Sequence, residues 1–173
     1  MRIFRNTDRR GWLGRTGGVA ALVAAMLAGP ARAQTAQAGL PAAQDLAGDG
    51  RTARERGVPI VILFSLPGCA YCEVVRRHYL APLMNEGPAG RRPLVRELDM
   101  SSAAPLRGFQ GEAGSGRALA RQYEVRVAPS VLVLDGEGKR LAPLLEGGDV
   151  AGMYGAYLDD RLAVARRALA ERH

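Results

Sequence analysis

The sequence predicts an α/β fold: a central mixed β-sheet flanked by helices, with a C-terminal β-hairpin and a closing helix. Three observations carry this. Val58 to Leu66 is a nearly continuous apolar run bounded by Gly57 and Pro67-Gly68, the pattern of a strand buried on both faces of a sheet. Helix-like and strand-like segments alternate before and after it, which calls for crossover connections. Finally, Asp135-Gly136-Glu137-Gly138 separates two apolar stretches and supplies the glycines that a tight hairpin needs.

Taken in order, residues 34–44 are rich in Ala, Gln, Gly and Pro and read as a flexible lead-in. The domain proper is expected over 45–172. Asp45 to Arg56 reads as a polar helix stopped by Gly57, and the apolar strand follows. A helix beginning near Cys69 carries Val74, Val75, Tyr79 and Leu80, and Pro82 must kink or end it. Leu94 to Met100 is a second strand. Ser101 to Gly116, full of small residues, Gly and Pro, reads as an irregular surface insertion. Arg117 to Tyr123 is a short helix, Val125 to Pro129 a connection and Ser130 to Leu134 a third strand. Arg140 to Leu145 returns antiparallel after the turn, and Val150 to Arg172 forms an amphipathic helix.

The first 33 residues stand apart. Arg2, Arg5, Arg9 and Arg10 make a basic start, Val19 to Ala28 is unbroken apolar sequence, and Ala31-Arg32-Ala33 has the small-x-small pattern of a signal-peptidase site. A signal peptide cleaved between Ala33 and Gln34 is the reading. The apolar run is about half the ~20 residues needed to span a bilayer, so no permanent anchor is expected. Asp8-Arg9-Arg10-Gly11-Trp12-Leu13 also resembles a twin-arginine export signal, with Trp12 where phenylalanine is commoner and Gly14 where lysine is often found. Removing the leader changes the charge. The whole chain has 24 basic and 17 acidic residues, but the leader holds six arginines and one aspartate, leaving 18 against 16. A charge of +2 on the remaining residues gives no basic domain that argues for nucleic acid.

Cys69 and Cys72 are the only cysteines. Such a pair can be half of a metal site, a staple or a redox couple. A zinc site needs four ligands, and the only imidazoles are His78, six residues past Cys72 on the same helix, and the terminal His173. Neither completes a tetrahedron, so no metal is expected. His78 reads as a helix-surface residue. Glu73 rather than His follows Cys72, which departs from the pattern for covalent haem attachment. As a staple, so short a loop would constrain the unfolded chain little.

With the apolar strand running into Cys69-Ala70-Tyr71-Cys72, Val127-Ala128-Pro129-Ser130 before a later strand, and the Asp135 to Lys139 hairpin, residues 45 to 170 resemble the thioredoxin-like family. The resemblance implies the thioredoxin fold, a redox-active Cys69–Cys72 disulfide and a cis bond before Pro129. The physics of the position agrees: a cysteine at a helix start meets unpaired N–H groups and the positive end of the macrodipole, which favour thiolate. Cys69 is therefore the expected nucleophile, and Cys72, one turn on, the resolving thiol. Tyr71, Ala128 and Pro129 are the candidate substrate-binding residues, with Ala128 offering a backbone edge to an extended substrate segment. Three departures stand out. Thioredoxins typically place tryptophan before the first cysteine and Gly-Pro between the two, where this chain has Gly68 and Ala70-Tyr71. They also bury an aspartate on the strand six residues before the first cysteine, where this chain has Leu63. An x-Tyr dipeptide is more similar to glutaredoxins and exported disulfide isomerases.

The leader and the resemblance together imply a periplasmic thiol–disulfide oxidoreductase acting on protein thiols and disulfides, with reduction the expected direction; sustained reduction would then call for a membrane electron donor as partner. A monomer without cofactor is expected, since no flavin, nicotinamide or metal motif is visible. The alternatives are a thiol oxidase or disulfide isomerase of the same fold, and a non-enzymatic thioredoxin-fold binding module.

Overall fold

The computed structural model of the chain describes residues 39–172. The export signal expected over 1–33, residues 34–38 of the lead-in and His173 lie outside the described residues. From Leu40 onward the lead-in packs against the domain. Leu40 and Ala43 are buried, Ala43 N–H donates to Glu97 O at 2.8 Å, and Glu97 N–H donates to Pro41 O at 2.9 Å. Two apolar side chains with main-chain partners outweigh the local composition.

Helix α1 (Leu46–Arg56) begins where Asp45 caps it, its carboxylate accepting the Gly48 N–H at 3.0 Å, and stops at Gly57 in the left-handed conformation. Strand β1 (Ile60–Ser65) is buried along its whole length. It pairs in parallel with β2 (Leu94–Asp99) and antiparallel with β5 (Ser130–Leu134), which pairs antiparallel with β6 (Leu145–Glu146). The sheet order β2-β1-β5-β6 puts the apolar strand in the interior, as its composition requires.

Side-chain alternation splits the core in two. Val61, Leu63, Val95, Val131 and Val133 face one layer, with Val75 and Leu80 and the buried side of α5 (Tyr154–Ala170). Ile60, Ile62, Phe64, Leu98, Leu132 and Leu134 face the other, with Leu46, Ala53 and Leu119. Helix α4 (Gly116–Gln122) belongs to that second layer. Tyr154, Leu158, Leu162 and Ala165 recur at helical spacing and fill the first.

The helical run after the cysteines is continuous but not uniform. Helix α2 (Ala70–Val74) passes into a π-helical turn (Val75–Leu80) and then α3 (Ala81–Leu83). Pro82 cannot donate a hydrogen bond and crowds the carbonyl four residues back. The widened turn answers this: Ala81 N–H donates to Arg76 O, five residues earlier, and the helix persists just past the proline.

Two elements differ from expectation. The 101–116 segment is not wholly irregular, since β3 (Pro105–Arg107) and β4 (Ala113–Ser115) form an antiparallel hairpin that buries Leu106 in the second layer. The strand expected over Arg140 to Leu145 is broken. Arg140 bridges Leu134 and Leu145 pairs with Val131, so five steps on one side face three on the other. Pro143, without an N–H to offer, lies in the surplus.

Candidate active site

The site is built at the C-terminal end of β1. The chain leaves Ser65, turns through Gly68 at φ 72°, and enters α2 with Cys69 as its N-cap residue. Cys72 N–H donates to Cys69 Sγ at 3.1 Å, so the sulfur occupies the place where helices hold anions. The two cysteines form a disulfide with Cα atoms 5.2 Å apart. Their environments are unequal: Cys69 is partly exposed, whereas Cys72 has no exposed surface. Only one sulfur can be met from outside.

Pro129 arrives at the same end of the sheet, because Ser130 pairs with Phe64. The Ala128–Pro129 bond is cis. Ser130 Oγ donates to Val127 O at 2.8 Å and fixes the approach, while Val127 is exposed and Ala128 half-buried. Gly147 N–H donates to Pro129 O at 2.8 Å. The next residue, Gly148, lies so close to Tyr71 that a Cβ there would stand 2.9 Å from the Tyr71 Cβ. Tyr71, 59% exposed, thereby packs against the segment after β6 whose Gly147 bonds Pro129. The structure thus brings Cys69, Cys72, Tyr71 and the Ala128-Pro129 segment to one end of the sheet, and leaves His78 exposed on the helix.

Beside Cys69 lies a cleft of about 400 Å³, lined among others by Ser65, Glu73, Arg76, Glu97 and Asp99. Leu63 is fully buried in the apolar layer beneath, and its register partner on β2 is Glu97. A carboxylate is therefore present one strand away from the position where thioredoxins typically carry theirs. Arg76 grips it with a fork, Nε to Oε2 at 2.8 Å and Nη2 to Oε1 at 2.5 Å, and its remaining Nη1 reaches Glu73. Arg77 also pairs with Glu73. Burial works to raise the Glu97 carboxyl, but the hydrogen bonds from Arg76 and Ser65 and the Arg76 charge hold it below the ordinary glutamate value. The same hydrogen bond raises the Arg76 guanidinium further. Sequence reading missed this cluster. Glu73 with Arg76 and Arg77 at i+3 and i+4 was a usable signal. Glu97 was not, since only strand register places it there.

On the far side of the helix, Tyr79 donates its hydroxyl to Asp149 and its ring lies 4.9 Å from that of Tyr154. These contacts anchor the segment containing Gly147 and Gly148 to the cysteine helix.

A family model described as a thioredoxin-like domain matches residues 46–161. No curated protein matches the chain. Among solved structures it is similar to a DsbH oxidoreductase at 19% identity, covering 73% of this chain and 86% of that one with a TM-score of 0.49. It is also similar to a thioredoxin-fold protein from Helicobacter pylori at 16% identity, covering 70% and 92% respectively, with a TM-score of 0.44. A third likeness, to oxidised thioredoxin O2 from Arabidopsis thaliana, has 16% identity, 65% and 83% coverage and a TM-score of 0.40. With the matched span taking in the cysteine pair and the proline segment, the chain belongs to the thioredoxin-like family.

Proposed function

We propose that the protein is an exported thiol–disulfide oxidoreductase whose principal direction is reduction of protein disulfides in the periplasm. The observation that carries the reading is the asymmetry of the pair: a partly exposed sulfur at a helix cap, with its partner sulfur buried behind it. In the reduced protein the Cys69 thiolate attacks one sulfur of a substrate disulfide and releases the other as a thiolate. Cys72, deprotonated, then attacks Cys69 Sγ, closes the intramolecular disulfide and releases the second substrate sulfur. Two electrons pass to the substrate, whose two sulfurs take up two protons. The Ala128 edge aligns the substrate main chain, and Tyr71 supplies an apolar face beside it. Repeated turnover requires an electron donor that reduces the pair, and a membrane dithiol carrier fits an exported location. The leader pattern, with its basic start, apolar run and Ala31-Arg32-Ala33, supports export.

Trapping tests the chemistry. Cys72→Ser is expected to accumulate mixed disulfides with substrates that a reductant releases, and Cys69→Ser to accumulate none. Adducts on Cys72 in the Cys69→Ser protein, or none in either, overturn the assignment. The reduction potential of the pair tests the direction. A value on the reducing side of about −180 mV, toward the −270 mV of thioredoxin, is expected, and one near about −120 mV marks an oxidant instead.

A further inference from the structure

We propose that Arg76, fixed by Glu97 from the neighbouring strand, is the positioning residue that keeps Cys69 reactive by neutralising Glu73. The inference rests on the reading of Cys69 as nucleophile and adds what sets its protonation. Glu73 stands four residues after Cys69, one helical turn along the same face, and both residues line the same cleft. An anion there opposes a thiolate, and so works against the helix N-terminus that favours one. A redox helix carrying a carboxylate at this place needs a cation to cancel it.

The structure provides that cation in a fixed position. Arg76 is four-fifths buried, and two of its donors are held in the fork on Glu97 while a third reaches Glu73. A guanidinium held at three points loses little further freedom in serving Glu73, unlike a lysine swinging in solvent. The Arg77 pair with Glu73 is more exposed, with more than half of the Arg77 side chain in solvent, and is screened accordingly. Glu97 is spent on Arg76, and Asp99 accepts from Ser101 N–H at 2.8 Å and Ser101 Oγ at 2.7 Å. Among the described residues lining the cleft, the charged ones are therefore Glu73, Arg76, Glu97 and Asp99. The connection opposite carries Arg126, which is exposed, and the segment before α5 carries Asp149, bonded to Tyr79.

An unbalanced unit charge about one helical turn away moves a partly exposed group by about half to one pKa unit, or roughly three- to tenfold in thiolate below the pKa. The experiment is the pH profile of Cys69 alkylation in the reduced full chain, with Cys72 blocked by its own burial and checked by peptide mapping. Arg76→Gln is expected to displace the profile to higher pH and slow alkylation in the acid limb about three- to tenfold. Arg76→Lys should recover part of that loss. Glu73→Gln, at a position two-fifths exposed and safe for the fold, should shift the profile the other way. Combining Glu73→Gln with Arg76→Gln should recover the part of the loss that Glu73 causes, leaving alkylation faster than in Arg76→Gln alone but short of wild type, because Glu97 has then lost its Arg76 partner. A Glu73→Gln profile that superimposes on wild type overturns the proposal, as does a double variant no faster than Arg76→Gln alone. A wild-type Cys69 that alkylates like an ordinary thiol of pKa about 8.5 sinks the underlying reading of the nucleophile instead, so the two failures are distinct.

Discussion

Replacing Leu63 with aspartate restores a carboxyl where thioredoxins typically have one, and the structure says this chain is not built to receive it. Leu63 has no exposed surface, lies in the apolar layer with Val61, Val75 and Val131, and is paired in register with Glu97. Two costs separate. Loss of the leucine side chain from a closed core is worth about 2–5 kcal/mol, whatever the charge. The introduced carboxyl then meets low polarity and a neighbouring carboxylate, and both disfavour its ionised form. If these raise its pKa by about 3 units over the unfolded value near 3.9, ionisation at neutral pH costs a further ~4 kcal/mol. Because the folded pKa is raised, the second cost is absent below the unfolded pKa and grows as pH rises until the folded pKa is passed. Leu63→Asn supplies the uncharged control. Urea midpoints across pH should show Leu63→Asn uniformly less stable than wild type. Leu63→Asp should match it in acid and fall about 4 kcal/mol below it near neutrality, or refold only on acidification. A gap between the two variants that does not change with pH would refute the placement of Leu63 against Glu97 in a dry layer.

Two further outcomes follow from the same packing. Asp135 is nearly buried and accepts N–H bonds from Glu137 and Lys139 as well as Arg172 Nη1 at 2.5 Å; burial pushes its carboxyl up, but these partners hold it below the ordinary value. With Glu97 depressed likewise, stability that is present above the unfolded carboxyl values should be lost as pH falls through the lower folded ones. Asp135→Asn should flatten that acid limb in urea titrations, and an unchanged limb would discount the residue. Gly148→Val should cost about 1–3 kcal/mol by forcing Tyr71 away from the segment after β6, read as a changed Tyr71 ring signal in NMR; an unmoved ring would show that it does not pack there.

What could be read from the sequence divides along physical lines. The boundaries of α1 were legible because the Asp45 cap and the Gly57 stop are local, and β1 because a strand buried on both faces is apolar at every position. The cysteine pair announced itself by spacing and by the strand before it. The β3–β4 hairpin did not, since strands of three residues with one buried side chain leave no periodic trace. The break in the return strand could have been found, because Pro143 is a local signal that the apolar pattern of Leu141, Leu144 and Leu145 obscured. Leu40 and Ala43 were hidden by the small polar residues around them. The Arg76–Glu97 fork joins residues 21 apart through the pairing of β1 with β2, and nothing in either segment alone reports it.

The charge cluster also bounds what this cleft can decide about direction. One pKa unit of thiolate stabilisation is about 1.4 kcal/mol, which for a two-electron couple is about 30 mV. Cancelling Glu73 is thus worth at most roughly 30 mV, and losing Arg76 makes the pair more reducing by that amount. The interval between a thioredoxin-like potential and that of a strong oxidant is about 150 mV, five times larger. No single charge in the cleft can turn a reductant into an oxidant. A shift of that size demands several donors converging on Cys69, whereas among the described residues the sulfur accepts one N–H, from Cys72, and shares its cleft with three carboxylates and one guanidinium.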